Sequence, residues 1–214
     1  MSRGRRLLLL RHGRTGWNAQ SRFQGQIDIE LDDVGRAQAA RAAELLARLR
    51  PDALVSSDLG RAAATAAAVA ERTGLPVQHD QRLRETYAGA WQGMTIAEID
   101  ARFGDERARW RAGEDVSPGG DGERRSEVGA RVAAAVTEHA EQLPDGGLLV
   151  AATHGGATTA GLHVLLGIPR PLWPVLSGLS NCHWSLLRER GTDGWVLEEH
   201  NAGSLPQDVV GDES

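Results

Sequence analysis

The chain has 214 residues, 41% of them apolar, and a formal net charge of -5. That length supports one domain with a sizeable core. All 24 basic side chains are arginine and form no long block, which argues against a nucleic-acid partner. Cys182 is the only cysteine, so neither a disulfide framework nor a thiolate metal cluster is available. No apolar run reaches transmembrane length, and no leader or repeat is expected. The expectation is a cytoplasmic protein without a membrane partner.

In chain order, residues 7–18 read LLLLRHGRTGWN. Four leucines suit a strand buried on both faces of a parallel sheet, and Thr15 begins a turn into helix. His12 then sits at the strand's carboxyl end, the edge at which open α/β sheets bind ligands. Taken alone, Arg11-His12-Gly13 reads more readily as a basic loop with a solvated histidine, and the tripeptide by itself decides little. Residues 20–31, carrying Arg22, Gln24 and Gly25, show no period and read as a loop beside that strand. Asp32 is a candidate N-cap for a helix over 33–50, where Val34, Ala37, Ala40, Leu45, Leu46 and Leu49 recur at roughly helical spacing before Pro51.

A short strand at Ala53-Leu54-Val55 follows, then Ser56-Ser57-Asp58, with Asp58 expected to cap an alanine-rich helix reaching about Thr73. Arg61 falls in that helix's first turn. A cation there opposes the helix dipole unless an anion lies nearby. Gly74-Leu75-Pro76 breaks the chain before a short strand around Val77, and RLRETYAGAWQG follows with Glu85 at its centre. The pattern then predicts a helix over 95–103, a looser stretch around Trp110, and an exposed loop over 117–122. A helix over about 123–143 carries Val128, Val132 and Val136 on one stripe. Pro144-Asp145-Gly146-Gly147 stops it, and a second buried strand at 148–153 ends in His154-Gly155-Gly156. The domain is expected to span 1–203, with 204–214 a flexible polar tail.

Two separate apolar strands thus end in His-Gly and run into a helix. Adjacent parallel strands would bring His12 and His154 together at one sheet edge. His79, His139, His163, His183 and His200 lack this context and read as structural or solvated. No zinc-site spacing is present, and a metal held by two histidines and a carboxylate is the minor alternative.

LLLLRHGRTGWN, SSDLGRAAATA around Arg61, LRETYAGAWQG around Glu85 and ATHGG around His154 resemble the four signature blocks of the histidine phosphatase superfamily, the phosphoglycerate mutase-like enzymes. They stand in family order across about residues 6–203. The resemblance implies a three-layer α/β/α fold with a mostly parallel central sheet and the site at its carboxyl edge. It implies His12 as the nucleophile that becomes phosphohistidine, with Arg11, Arg61 and His154 holding phosphoryl oxygens. Glu85 would protonate the leaving oxygen and then take a proton from the attacking water. Asn18, Gln24 and the Gly155 N–H would add phosphate or substrate contacts. No metal or cofactor is implied, the partner is a small phosphorylated substrate, and a homodimer fits the family.

The four blocks serve phosphatase and mutase chemistry alike. The segment from Glu85 to His154 is compact where the mutases carry an enclosing insertion, which favours hydrolysis. Arg22-Phe23-Gln24-Gly25-Gln26, the run from Arg82, the GGDGERRSEV loop and WPVLSGLSNCHWSLL are most similar to the glucosyl-3-phosphoglycerate phosphatase group of the superfamily. On that resemblance Gln24, Arg22 and the arginines near Arg84 would meet substrate hydroxyls and a carboxylate. A phosphoglycerate mutase, a broad or α-ribazole phosphatase, and a catalytically silent phosphate-binding relative stay as alternatives. Trp173, Trp184 and Trp195 are open to two readings, a sugar-stacking surface or packing in the core or a dimer interface.

Overall fold

A computed structural model describes residues 4–191 and 194–203; the expected tail over 204–214 lies outside them. Strand β1 (Arg6–Arg11) leads into a short helix α1 (Gly16–Ala19), followed by α2 (Asp33–Arg48), β2 (Ala53–Ser56), α3 (Gly60–Thr73) and β3 (Val77–His79). The chain continues through α4 (Ile96–Arg111), α5 (Arg125–Glu141), β4 (Leu148–Thr153), α6 (Gly155–Leu165), β5 (Trp184–Glu189) and β6 (Trp195–Ala202). The sheet order is β3-β2-β4-β1-β5-β6. The first four strands are parallel, and β5 and β6 add an antiparallel edge beside β1.

Alternation along the central strands makes the three layers. Leu7 and Leu9 of β1, with Leu149 and Ala151 of β4, pack against Val128, Val132 and Val136 of α5 and Leu162 of α6. Leu8 and Leu10, with Val150 and Ala152, face the opposite way onto Ala43 and Leu46 of α2 and Ala66 and Val69 of α3. Strands buried on both faces read as continuous apolar runs, which is why neither shows a polar alternation in sequence. The valine stripe of α5 is buried as its spacing predicts.

Four local expectations change. Asp58 does not cap α3; Leu59 occupies that position without a side-chain bond, because Asp58 pairs instead with Arg84 Nε and Nη2 at 2.7 and 2.5 Å. A bidentate ion pair outcompetes a single cap hydrogen bond. Helix α4 passes beyond Phe103, where φ -133° and ψ 30° kink it, so the Trp110 stretch is helical. Phe103 and Trp110 both pack on the cluster of Ala88, Trp91 and Ile99. The helices predicted over 33–50 and 123–143 stop at Arg48 and Glu141. Strands β5 and β6 had no clear sequence signal, since β5 is buried over its first four residues and bulges disturb the β5–β6 register.

The register of β1 against β4 pairs Arg11 with Thr153. His12 and His154 are therefore the next residues out of neighbouring strands, and His12 N–H continues the ladder to Thr153 O at 3.0 Å. The crevice beyond these two strand ends is the ligand position that an open α/β sheet supplies. Helix α2 presses on the His12 loop from the other side. A Cβ on Gly35 would lie 2.0 Å from Arg14 O, and one on Gly13 would lie 2.4 Å from Gly35 O. Both contacts are with backbone, so neither yields by side-chain rotation.

Gly35→Ala is therefore expected to destabilise the fold by about 1–3 kcal/mol, the usual cost of overpacking, and to lower activity by displacing the His12 loop. Urea denaturation checks the first effect, and an unchanged midpoint with unchanged slope would show that the two backbones separate freely.

Candidate active site

His12 is buried, and its Nδ1 lies 2.7 Å from Gly13 O. A carbonyl only accepts, so Nδ1 carries the proton and the Nε2 lone pair is left free. Burial, then the nearby Arg61 and Arg11 charges, hold His12 well below its ordinary value of 6.5. The nitrogen is thus kept in its nucleophilic form.

His154 lies against His12 with ring centroids 5.1 Å apart and the planes at 63°. It is fully buried, and both nitrogens are engaged. Arg61 Nε donates to His154 Nδ1 at 3.2 Å, and His154 Nε2 is 2.9 Å from Ser57 Oγ. That pattern selects the neutral ring with its proton on Nε2, and burial followed by Arg61 pushes His154 well below 6.5. The metal alternative loses its geometry here, because only one free imidazole nitrogen remains between the two histidines.

Arg61, in the first turn of α3, is fully buried. Besides His154 it binds Ile27 O at 2.8 Å and Gly25 O at 2.7 Å. Burial brings its guanidinium down to about 10, still charged at neutral pH. Arg11 donates from Nη1 to Leu179 O, while its Nε is buried without a partner. Burial also lowers Arg11, and attraction to Glu85 partly restores it.

The Glu85 carboxylate sits on the N-terminus of α6. It accepts from Thr86 N and Ala157 N at 2.8 Å and from Gly156 N at 3.0 Å. The first N–H groups of a helix have no intrahelical acceptor and favour anions. The Glu85 backbone is pinned in turn. Arg131 donates to the carbonyls of Arg82, Arg84 and Glu85 at 2.7, 2.7 and 3.0 Å, and Glu123 grips Arg131. Gln26 adds a bond to Glu85 O at 3.1 Å. Arg131 and Glu123 have no sequence signature of this role.

These groups open onto a cleft of about 730 Å³ lined by Arg11, His12, Asn18, Arg22, Gln24, Gly25, Arg61, Glu85 and Gly155, with His154 behind His12. Asn18 Oδ1 accepts from Thr15 N–H at 3.1 Å and from Asn181, and Gln24 Oε1 accepts from the Thr15 hydroxyl at 3.1 Å. Both amides thereby keep their NH₂ groups for a ligand. Gly25 turns its carbonyl to Arg61. Arg22 lines the mouth, but its guanidinium is held by Gln20 and Gly93 O at 3.0 and 2.7 Å. Arg84 is not on the cleft, being held by Asp58. The arginines of the far wall are Arg111 and Arg125, together with Trp110. The three tryptophans of the late segment do not form one surface. Trp173 stacks on His163 in the cleft wall at 5.0 Å and 1°, Trp184 is a core residue, and Trp195 packs on the α5–α6 core.

A neutral imidazole nitrogen beside two guanidiniums and a helix N-terminus, with a carboxylate nearby, suits attack on a phosphoryl group. The family profile described as histidine phosphatase superfamily (branch 1) matches residues 7–203. The chain belongs to that superfamily. It is 44% identical to a glucosyl-3-phosphoglycerate phosphatase of Mycolicibacterium vanbaalenii, the match covering 97% of this chain and all of that one. A solved mycobacterial glucosyl-3-phosphoglycerate phosphatase complexed with VO3 superposes with a TM-score of 0.88 at 44% identity, covering 92% of this chain and 99% of that one. A 2,3-bisphosphoglycerate-dependent phosphoglycerate mutase of Mycobacterium tuberculosis is also 44% identical, over 52% of this chain and 47% of its own.

Burying two neutral histidines in this histidine phosphatase makes stability depend on pH. Both fold with values below those of the unfolded chain, so below about 6.5 the unfolded state takes up protons that the folded state does not. Stability is full above that value and is lost as pH falls from 6.5 toward the depressed native values, by up to ~1.4 kcal/mol per pH unit for each histidine. Urea titrations between pH 7 and 5 should show this slope, shallower in His12→Asn; a flat profile would mean that the imidazoles protonate in the fold.

Proposed function

We propose that this enzyme hydrolyses glucosyl-3-phosphoglycerate, releasing inorganic phosphate through a phosphohistidine formed on His12. The observation that carries the chemistry is the His12 imidazole, buried with Nδ1 bound to Gly13 O and Nε2 free beside Arg11 and Arg61. The substrate reading is supported by a relative of that activity matching at 44% over nearly the whole of both chains.

The reaction proceeds in two displacements. The Nε2 lone pair forms the bond to phosphorus as the ester P–O bond breaks, and the departing oxygen takes the proton of the Glu85 carboxyl group. Arg11, Arg61, the Asn18 and Gln24 amides and the Gly155 N–H receive the charge on the phosphoryl oxygens. Water then donates a proton to the Glu85 carboxylate while its oxygen attacks phosphorus. The P–N bond breaks, its electron pair returns to Nε2, and phosphate leaves. His154 acts from behind, holding the Arg61 guanidinium and the face of His12 while its own nitrogens stay on Arg61 and Ser57. Hydrolysis is favoured over phosphoryl return because the connection over residues 112–124 carries no added helix to shut water out of the cleft.

Phosphate release with EDTA present, from glucosyl-3-phosphoglycerate, 3-phosphoglycerate, α-ribazole phosphate and nitrophenyl phosphate, tests this reading. Dominant release from the glucosylated substrate, abolished in His12→Ala, is expected; isomerisation of phosphoglycerate without release would establish mutase chemistry instead. Glu85→Gln is expected to slow the glucosylated substrate roughly 10²–10⁴-fold and nitrophenyl phosphate far less, since a good leaving group needs little protonation. Equal losses on both would remove Glu85 from the acid role.

A further inference from the structure

The phosphoryl end of the cleft leaves its opposite wall without an assigned task. That wall joins the C-terminal end of α4 to the start of α5. Arg125, the first residue of α5, lays its guanidinium over the Trp110 ring, 3.8 Å from the centroid. Both line the same cleft as His12.

Arg125 is a cation in an awkward position. It is half-buried at a helix N-terminus, where the dipole favours an anion. Among the described residues none gives its guanidinium a hydrogen bond or an ion pair. Asp115 attracts it from nearby, but the Asp115 oxygens are taken, Oδ1 by Ser126 N–H at 3.0 Å and Oδ2 by the Ser126 hydroxyl at 2.6 Å and Arg170 at 3.0 Å. The cation–π contact holds the guanidinium carbon over the indole, and its N–H fork has no acceptor among the described residues. Two neighbouring cleft residues also carry unsatisfied buried atoms, the Trp110 indole N–H and His163 Nδ1. Buried polar groups left unpaired in a native fold call for a partner.

We infer that Arg125, held over the Trp110 ring, is the carboxylate-binding residue of the cleft, pairing through its N–H fork with the acid group of a phosphorylated hydroxy acid whose phosphoryl group lies at His12. This deepens the substrate reading above and rests on it. A carboxylate matches the planar fork in a bidentate pair, whereas a neutral sugar hydroxyl would leave the charge uncompensated. It also assigns acid recognition to α5 and leaves Arg22 and Arg84, both committed to protein acceptors, outside that role.

The test compares two substrates that differ only at that group, glucosyl-3-phosphoglycerate and its analogue with the carboxylate reduced to CH₂OH. In Arg125→Gln, kcat/KM on the acid is expected to fall roughly 10- to 100-fold, chiefly through KM, as for loss of a charge-assisted hydrogen-bonded pair. The reduced analogue should change by far less, which also shows that the variant is folded. Arg125→Lys should keep part of the preference, retaining charge but not the fork. Equal losses on both compounds, or an unchanged ratio between them, would overturn the inference. The wild-type preference among the panel substrates tests the substrate reading separately. If the wild type rejects both glucosylated compounds, the same ratio is read with 3-phosphoglycerate and glycerol 3-phosphate.

Discussion

Burying a guanidinium at the base of a cleft demands acceptors for its donors, and Arg61 meets that demand by drawing three parts of the chain together. Its Nε reaches the imidazole after β4, and its two terminal nitrogens reach the carbonyls of Gly25 and Ile27 in the loop after α1. The first bond makes His154 an acceptor on one side and so a donor to Ser57 on the other. The remaining bonds shape the loop whose Gln24 and Gly25 line the cleft. Burial first, and this charge second, hold both imidazoles well below their ordinary value. One side chain therefore helps keep His12 neutral and sets the tautomer of His154 and the path of a loop that lines the cleft.

The half of the cleft that carries His12 and His154 was legible in the sequence because it lies at strand ends. Unbroken apolar runs such as Leu7–Leu10 and Leu148–Ala152 mark strands buried on both faces, and a histidine followed by glycine after each marks where the chain leaves the sheet. Adjacent parallel pairing then brings the histidines together without further information. The conflict between Arg61 and its helix dipole was a second usable signal, since a misplaced charge points to a compensating group.

The opposite half was obscure for physical reasons. Phe103 leaves helical geometry inside α4, so the apolar period breaks and the stretch bearing Trp110 reads as loop. Asp58 has the chemistry of a cap, yet Arg84, distant in sequence, takes both its oxygens. Arg131 donates to carbonyls over 82–85 while Glu123, eight residues earlier, holds its guanidinium, contacts that no local spacing encodes. The late tryptophans resembled a sugar platform only because sequence does not record that Trp184 and Trp195 lie on different core clusters.

The antiparallel edge of the sheet bears on how the molecule comes to be active as it is made. The His12 loop is held from the far end of the chain: Cys182 N–H reaches the carbonyls of Arg11 and His12, Asn181 reaches His12 O, and Leu179 O receives Arg11. Strand β5 then pairs along β1 from Leu10 back to Arg6. Contacts between segments so remote in sequence form late, because a long loop must close before they are rewarded. Arg11 and His12 are therefore synthesised well before the segment over 179–187 that seats them, and their loop takes its final shape only once that segment has paired. Until it pairs, Arg11 and His12 lack the hydrogen bonds that orient them at the sheet edge.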